Sequence, residues 1–206
     1  QMFKASGSPV NPKVVVSWNK YYDHAGITEI CKKIAAAYPD LVKLESIGKS
    51  FKGRDLWVLT ISDFKKGDPS RKPAMYIDGN IHSNEVQGAE FSLYTAWYLT
   101  ESFGDTKYIQ ELLADKVFYI NPSINPDGRD SYFHEPNTGS SPRSGVIPVD
   151  NDRDGLINED GYDDLDGDGH IVMMRRKNPN GRLKVDPNDP NRMIQASNEE
   201  KGDYEF

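Results

Sequence analysis

Apolar and polar positions alternate along the first two thirds of the chain in rhythms that define its elements. Ile27, Ile30, Cys31, Ile34 and Tyr38 recur at steps of three and four, which predicts an amphipathic helix ended by Pro39. Leu41 to Ile47 and Leu56 to Ile61 read as two strands, with Lys49-Ser50-Phe51-Lys52-Gly53 turning between them. A loop rich in Gly, Pro and Lys leads to a third strand, Ala74 to Ile77, with the polar run Asp78 to Glu85 at its end. Val86 to Leu99 has the length and apolar content of a buried helix. Asp105 is placed as N-cap of a shorter helix carrying Tyr108, Ile109, Leu112 and Leu113. Val117 to Ile120 predicts a fourth strand, closed by the turn Asn125-Pro126-Asp127-Gly128. Strands interleaved with helices predict an α/β layered fold.

The pattern fails at both ends. The first dozen residues are polar and turn-rich, and residues 1–18 read as an N-terminal arm. From Arg129 to Phe206 periodicity almost vanishes, and Ile171 to Met174 is the single short apolar run. Nearly eighty residues without an element of their own are unusual inside a compact domain. Residues 19–206 are therefore expected to form one incomplete domain, with residues 129–170 as an irregular acidic insertion.

Charge sharpens this division. The net charge is −7, but Asp150 to His170 holds nine acids against Arg153, a local −8 that leaves the rest near +1. A chain without a basic face lacks the footprint that phosphate contacts need, so nucleic acid is not an expected partner. With 36 % apolar and 28 % charged residues the chain is neither a disordered tail nor a membrane protein, and no apolar run approaches the ~20 residues of a membrane span. The single Cys31 excludes an internal disulfide framework and a multi-cysteine zinc module, and it leaves the compartment open.

Candidate chemistry begins with His82-x-x-Glu85, placed directly after a strand and before a helix. Ligands of open α/β sheets bind at that strand edge. An imidazole nitrogen and a carboxylate supply two protein ligands of a catalytic zinc, leaving room for a third and a water. The same pair could instead cap the helix or face solvent.

Four segments in order carry a resemblance. They are Tyr38-Pro39-Asp40-Leu41-Val42, Ile47 to Asp55 (IGKSFKGRD), Asp78 to Glu85 (DGNIHSNE) and Asn125-Pro126-Asp127-Gly128. Together they resemble the N-terminal part of a zinc carboxypeptidase of the carboxypeptidase A type, over roughly residues 20 to 130. The resemblance implies a mixed sheet flanked by helices, His82 and Glu85 as zinc ligands, a structural role for the Asn-Pro-Asp-Gly turn, and a peptide or protein substrate. It also implies an arginine after that turn that polarises the scissile carbonyl. The best match is Arg175 in Met174-Arg175-Arg176-Lys177, with Arg176 next and Arg129 and Arg143 behind. The family often has an arginine inside its His-x-x-Glu motif; here Asn84 stands there, so that substrate contact is not implied.

The family also needs a second zinc histidine, an Asn-Arg pair for the substrate's terminal carboxylate, a tyrosine and a general-base glutamate. His24, His134 and His170 do not stand in a matching context, and neither do Glu199, Glu200 and Glu205. A C-terminal remainder of the same domain, attached or associated, is thus an expected partner.

The acidic knot has its own chemistry. Asp150-x-Asp152-x-Asp154-Gly155 and Asp164-x-Asp166-x-Asp168-Gly169 both match the start of a calcium loop, where alternate carboxylates converge and glycine permits the turn. Their twelfth positions are Gly161 and Arg175, so neither has the closing glutamate, and in the first loop Glu159, Asp160 or Asp163 would have to substitute. Calcium is expected as a structural staple, which favours a secreted, periplasmic or cell-surface location. A solvated acidic loop is the plainer reading. The functional expectation is a zinc metallocarboxypeptidase, N-terminal portion; the alternatives are an inactive calcium-stabilised module of peptidase ancestry and, last, a calcium buffer or sensor.

Overall fold

The computed structural model describes residues 7–137, 142, 145–150, 152–157, 164–165, 167–169 and 171–206. The chain forms two compact units, Gln1–Tyr162 and Asp163–Phe206.

In the first unit, helix α1 spans His24–Ala37, capped by Asp23, whose carboxylate accepts from the Gly26 N–H at 2.9 Å. Strands β1 (Val42–Lys49) and β2 (Asp55–Ile61) form an antiparallel pair. Two single-turn 3-10 helices, Phe64–Lys66 and Pro69–Arg71, lead to β3 (Ala74–Asp78). Helices α2 (Gln87–Glu101) and α3 (Lys107–Asp115) precede β4 (Val117–Asn121). The sheet order is β1-β2-β4-β3, with β4 antiparallel to β2 and parallel to β3. It is a mixed α/β unit, as the periodicity predicts.

Cross-strand register shows how the core is set. Leu59 lies opposite Ile120 and Ile61 opposite Phe118, so their side chains share one face. That face packs with Ile27, Ile30, Cys31 and Ile34 of α1 and Ala89, Leu93, Ala96 and Trp97 of α2. Cys31 is fully buried, and burial pushes its thiol up to about 12, which makes it a packing residue rather than a nucleophile.

Three local expectations are corrected. The turn at Asn125 continues into a helix, α4 (Pro126–His134), so the irregular stretch begins later than Arg129. Asn125 caps it by accepting from the Gly128 N–H at 3.0 Å. The cap of α3 is Thr106, without a side-chain bond, while the Asp105 N–H closes a turn onto Ser102. The arm is partly core: Val14 is buried, its carbonyl accepts from Trp97 Nε1 at 2.7 Å, and Glu101 accepts from the Lys13 and Val14 N–H groups at 2.8 Å each.

The second unit also holds more order than expected. Strands β5 (Arg176–Lys177), β6 (Leu183–Asp186), β7 (Asp189–Gln195) and β8 (Tyr204–Glu205) form an antiparallel sheet in the order β5-β8-β6-β7. None of its strand residues is fully buried, and the strands carry Lys184, Asp189, Pro190 and Arg192, so no apolar alternation announces them. The β6–β7 hairpin turns at Pro187-Asn188, where Asp186 accepts from the Asn188 N–H at 2.9 Å.

Candidate metal centre

Because β3 and β4 run parallel, their C-terminal ends deliver the segments after Asp78 and Asn121 to the same sheet edge. The path after β3 is forced by two glycines. A Cβ on Gly79 would land on the Gly88 carbonyl, and one on Gly88 would meet the Asn80 nitrogen at 2.9 Å. Strand end and helix start therefore touch backbone to backbone. Asn80 then adopts φ 56°, a left-handed conformation that asparagine tolerates better than most residues. Its Nδ2 donates to the His82 carbonyl at 2.7 Å and to the Ser83 carbonyl at 3.2 Å.

The chain turns between His82 and Glu85, whose N–H donates to the His82 carbonyl at 3.2 Å. This puts the two side chains together: His82 Nδ1 and Glu85 Oε2 are 2.9 Å apart, with side chains 36 % and 52 % exposed. One imidazole nitrogen and one carboxylate oxygen, adjacent and open to solvent, make a donor pair that fits zinc. Among the described residues, no third His, Cys, Asp or Glu joins them in a cluster of three. His24 lies by Thr28, with Nε2 at 3.4 Å from its hydroxyl, and burial pulls its pKa down. His134 lies against Asp23 at 3.3 Å. His170 is outside the described residues.

Helix α4 grips this loop from below. Asn125 Nδ2 donates to the Ile81 carbonyl at 3.2 Å, and a Cβ on Gly128 would meet Ser83 Oγ at 2.6 Å. Arg129, with no side-chain exposure, donates through Nη1 to Asn80 Oδ1 at 3.1 Å and the Val86 carbonyl at 2.8 Å. Its Nη2 meets Glu90 Oε1 at 2.5 Å. Burial lowers the Arg129 pKa, and the Glu90 carboxylate opposes that shift. So enclosed a guanidinium has no path to a substrate carbonyl.

The remaining sequence candidates belong to later segments of the chain. Asp150, Asp152 and Asp154 each offer a carboxylate oxygen within 4.8 Å of the others. Asp150 accepts from the Arg153 and Gly155 N–H groups, at 2.6 and 3.0 Å. Asp164 repeats this with Gly167 and Gly169, at 2.9 and 3.0 Å. Asp168 is exposed, whereas Asp166, Glu159, Asp160 and Asp163 lie outside the described residues, as does Arg143. Arg175, exposed in the second unit, donates to the Pro190 carbonyl at 3.2 Å and lies 5.3 Å over the Tyr204 ring. Arg176 pairs with Glu205.

Sequence reading missed Asn80 and Glu90 as parts of the site. Glu90 had a readable sign: an acid inside an otherwise apolar helix needs a buried cation nearby.

The model of the zinc carboxypeptidase family matches residues 27–202. The chain belongs to the zinc carboxypeptidase family. Among curated relatives of this carboxypeptidase chain, carboxypeptidase D of Mus musculus is 34 % identical over 125 residues, 60 % of the chain and 9 % of the relative. Carboxypeptidase Z of Rattus norvegicus is 36 % identical over 110 residues, 52 % of the chain and 17 % of the relative. The chain thus spans less than a fifth of the length of either. Among solved structures, thrombin activatable fibrinolysis inhibitor superposes with a TM-score of 0.57 at 26 % identity, over 68 % of this carboxypeptidase chain and 33 % of that one.

Proposed function

We propose that this chain carries the first two zinc ligands, His82 and Glu85, of a metallocarboxypeptidase that removes C-terminal residues from peptides or proteins. The observation that supports it most is the 2.9 Å approach of His82 Nδ1 to Glu85 Oε2 at the C-terminal edge of the sheet. Zinc, when bound, polarises a water and the substrate carbonyl. His82 and Glu85 hold the donor atoms in place. Arg175 stabilises the negative charge that develops on the carbonyl oxygen. A third ligand and a general-base carboxylate come from further polypeptide of the same domain, attached or associated.

The same reading assigns calcium to Asp150, Asp152 and Asp154, with Asp164, Asp166 and Asp168 as a second loop, and so a secreted, periplasmic or cell-surface location. It is supported by the convergence of the first three carboxylates within 4.8 Å. A second functional reading, an inactive calcium-stabilised module, is supported by that same convergence of carboxylates.

The deciding experiment measures release of a C-terminal amino acid from synthetic peptides by the full-length protein. Carboxypeptidase action requires activity that a chelator removes, zinc restores, and H82A or E85A abolishes. Zinc binding through His82 with no release from any peptide would establish the inactive module instead.

A further inference from the structure

The loop that carries the metal pair is fastened on both sides to one buried cation. Before the pair, Arg129 Nη1 holds the Asn80 side-chain oxygen at 3.1 Å, and the amide nitrogen of that same group pins the His82 carbonyl at 2.7 Å. After the pair, Nη1 also holds the Val86 carbonyl at 2.8 Å, on the residue next to Glu85. Nη2 rests on Glu90 one turn into α2, and Nε donates to the Tyr22 carbonyl at 2.7 Å. Three of these four acceptor groups belong to residues 80–90. The guanidinium thus spends most of its donors on the segment around His82 and Glu85.

We propose that Arg129, fixed by Glu90 and acting through Asn80, is a positioning residue for the His82–Glu85 metal pair. The inference rests on the reading of that pair as zinc ligands and extends it to the residues that aim them.

Two physical arguments carry it. First, only a planar fork with several donors can reach Asn80, Val86, Glu90 and Tyr22 at once; a lysine ammonium cannot. Second, Asn80 is held at φ 56°, a conformation not free of cost even for asparagine, while its side chain bonds to Arg129, His82 and Ser83. Burying an ion pair is rarely the most stable packing, and registry is its best-attested use. Here the registry is that of a loop bearing two donor atoms.

The test uses the full-length protein with zinc ion itself as the probe. Affinity is read by competition with a chromophoric chelator at 25 °C, and thermal unfolding of the metal-free protein is recorded in parallel. The variants are Arg129→Lys, Asn80→Gly and the two combined. Asn80→Gly is the decisive one, because glycine accepts the positive φ while removing only the amide bonds. It keeps the Arg129–Glu90 pair and so reports even where Arg129→Lys fails to fold. Each single variant is expected to lose about 10- to 100-fold in zinc affinity while remaining folded. The double variant is expected to lose less than the product of the two, because both changes cut one chain of bonds. Unchanged zinc affinity in Asn80→Gly, with only the metal-free melting temperature lowered, would overturn the proposal and leave Arg129 a core ion pair. A wild-type protein that binds zinc no better than H82A overturns the metal reading itself, and this is seen before any positioning variant is compared.

Discussion

Arg54 reaches from the end of the β1–β2 turn to Asp127 at the start of α4, with Nη1 2.8 Å from Oδ1, and its Nε lies 2.8 Å from Asp130. The Ser50 hydroxyl and the Lys52 N–H complete the cage around Asp127, at 2.7 and 2.8 Å. Two of the motifs that carry the family resemblance, Ile47 to Asp55 and Asn125 to Gly128, are therefore two halves of one contact.

Removing Arg54 leaves a carboxylate whose side chain is 6 % exposed with Ser50 and the Lys52 N–H but without its paired cation. Arg54→Ala is expected to cost about 2–3 kcal/mol in urea unfolding, at the low end for a buried pair because Arg54 is itself partly exposed. Arg54→Lys should recover less than half of this, since it cannot serve Asp127 and Asp130 together. A loss below about 0.5 kcal/mol would show the clamp to be ornamental.

Asp127 also sets an acid limit. Burial opposes its ionisation, but the Lys52 N–H, Ser50 and Arg54 outweigh that and hold its pKa below the ordinary 3.8. A depressed carboxylate contributes stability that is complete above the unfolded value and is lost as pH falls through the folded one. The protein should therefore lose stability as pH drops below about 4. In Asp127→Asn that part of the acid slope should be gone, which urea midpoints across pH 2 to 6 would reveal.

The contact of Gly79 with Gly88 predicts a sharp contrast. Gly79→Ala must push β3 from α2 and should cost about 2 kcal/mol or more, displacing the His82 loop as well. Gly104→Ala, with open space around its Cβ, should be close to neutral. Equal melting temperatures for the two variants would contradict the close approach.

Calcium is checked by limited proteolysis of the acidic segment. Calcium at about 10⁻⁴–10⁻³ M should protect the bonds around Asp150 to Leu156, and EGTA or Asp152→Asn should abolish that protection. Cleavage insensitive to calcium would leave these residues a solvated acidic loop.

The elements of the first unit were legible because their burial is one-sided and regular: Ile27, Ile30, Cys31 and Ile34 all point into the core, and the strand blocks end at turn residues. The pairing of His82 with Glu85 was legible because three-residue spacing across a turn brings side chains to one side. The fastening was not. Arg129 lies 49 positions from Asn80 and 39 from Glu90, and hydrogen bonds across such separations leave no periodic trace. The second sheet escaped notice for a related reason, since ladder bonds and ion pairs such as Lys184 with Glu200 support it more than apolar alternation does.

The buried cation under the metal loop has a consequence for the order of assembly. Arg129 bonds to partners 107, 49, 43 and 39 positions away along the chain, so its seat exists only after the N-terminal segment, the β3 end and α2 have come together. Closing such long loops is entropically costly, and folds rich in contacts of this span form slowly. On the reading of His82 and Glu85 as zinc ligands, the loop that bears them is shaped by the fold itself, so metal would meet a cradle already built.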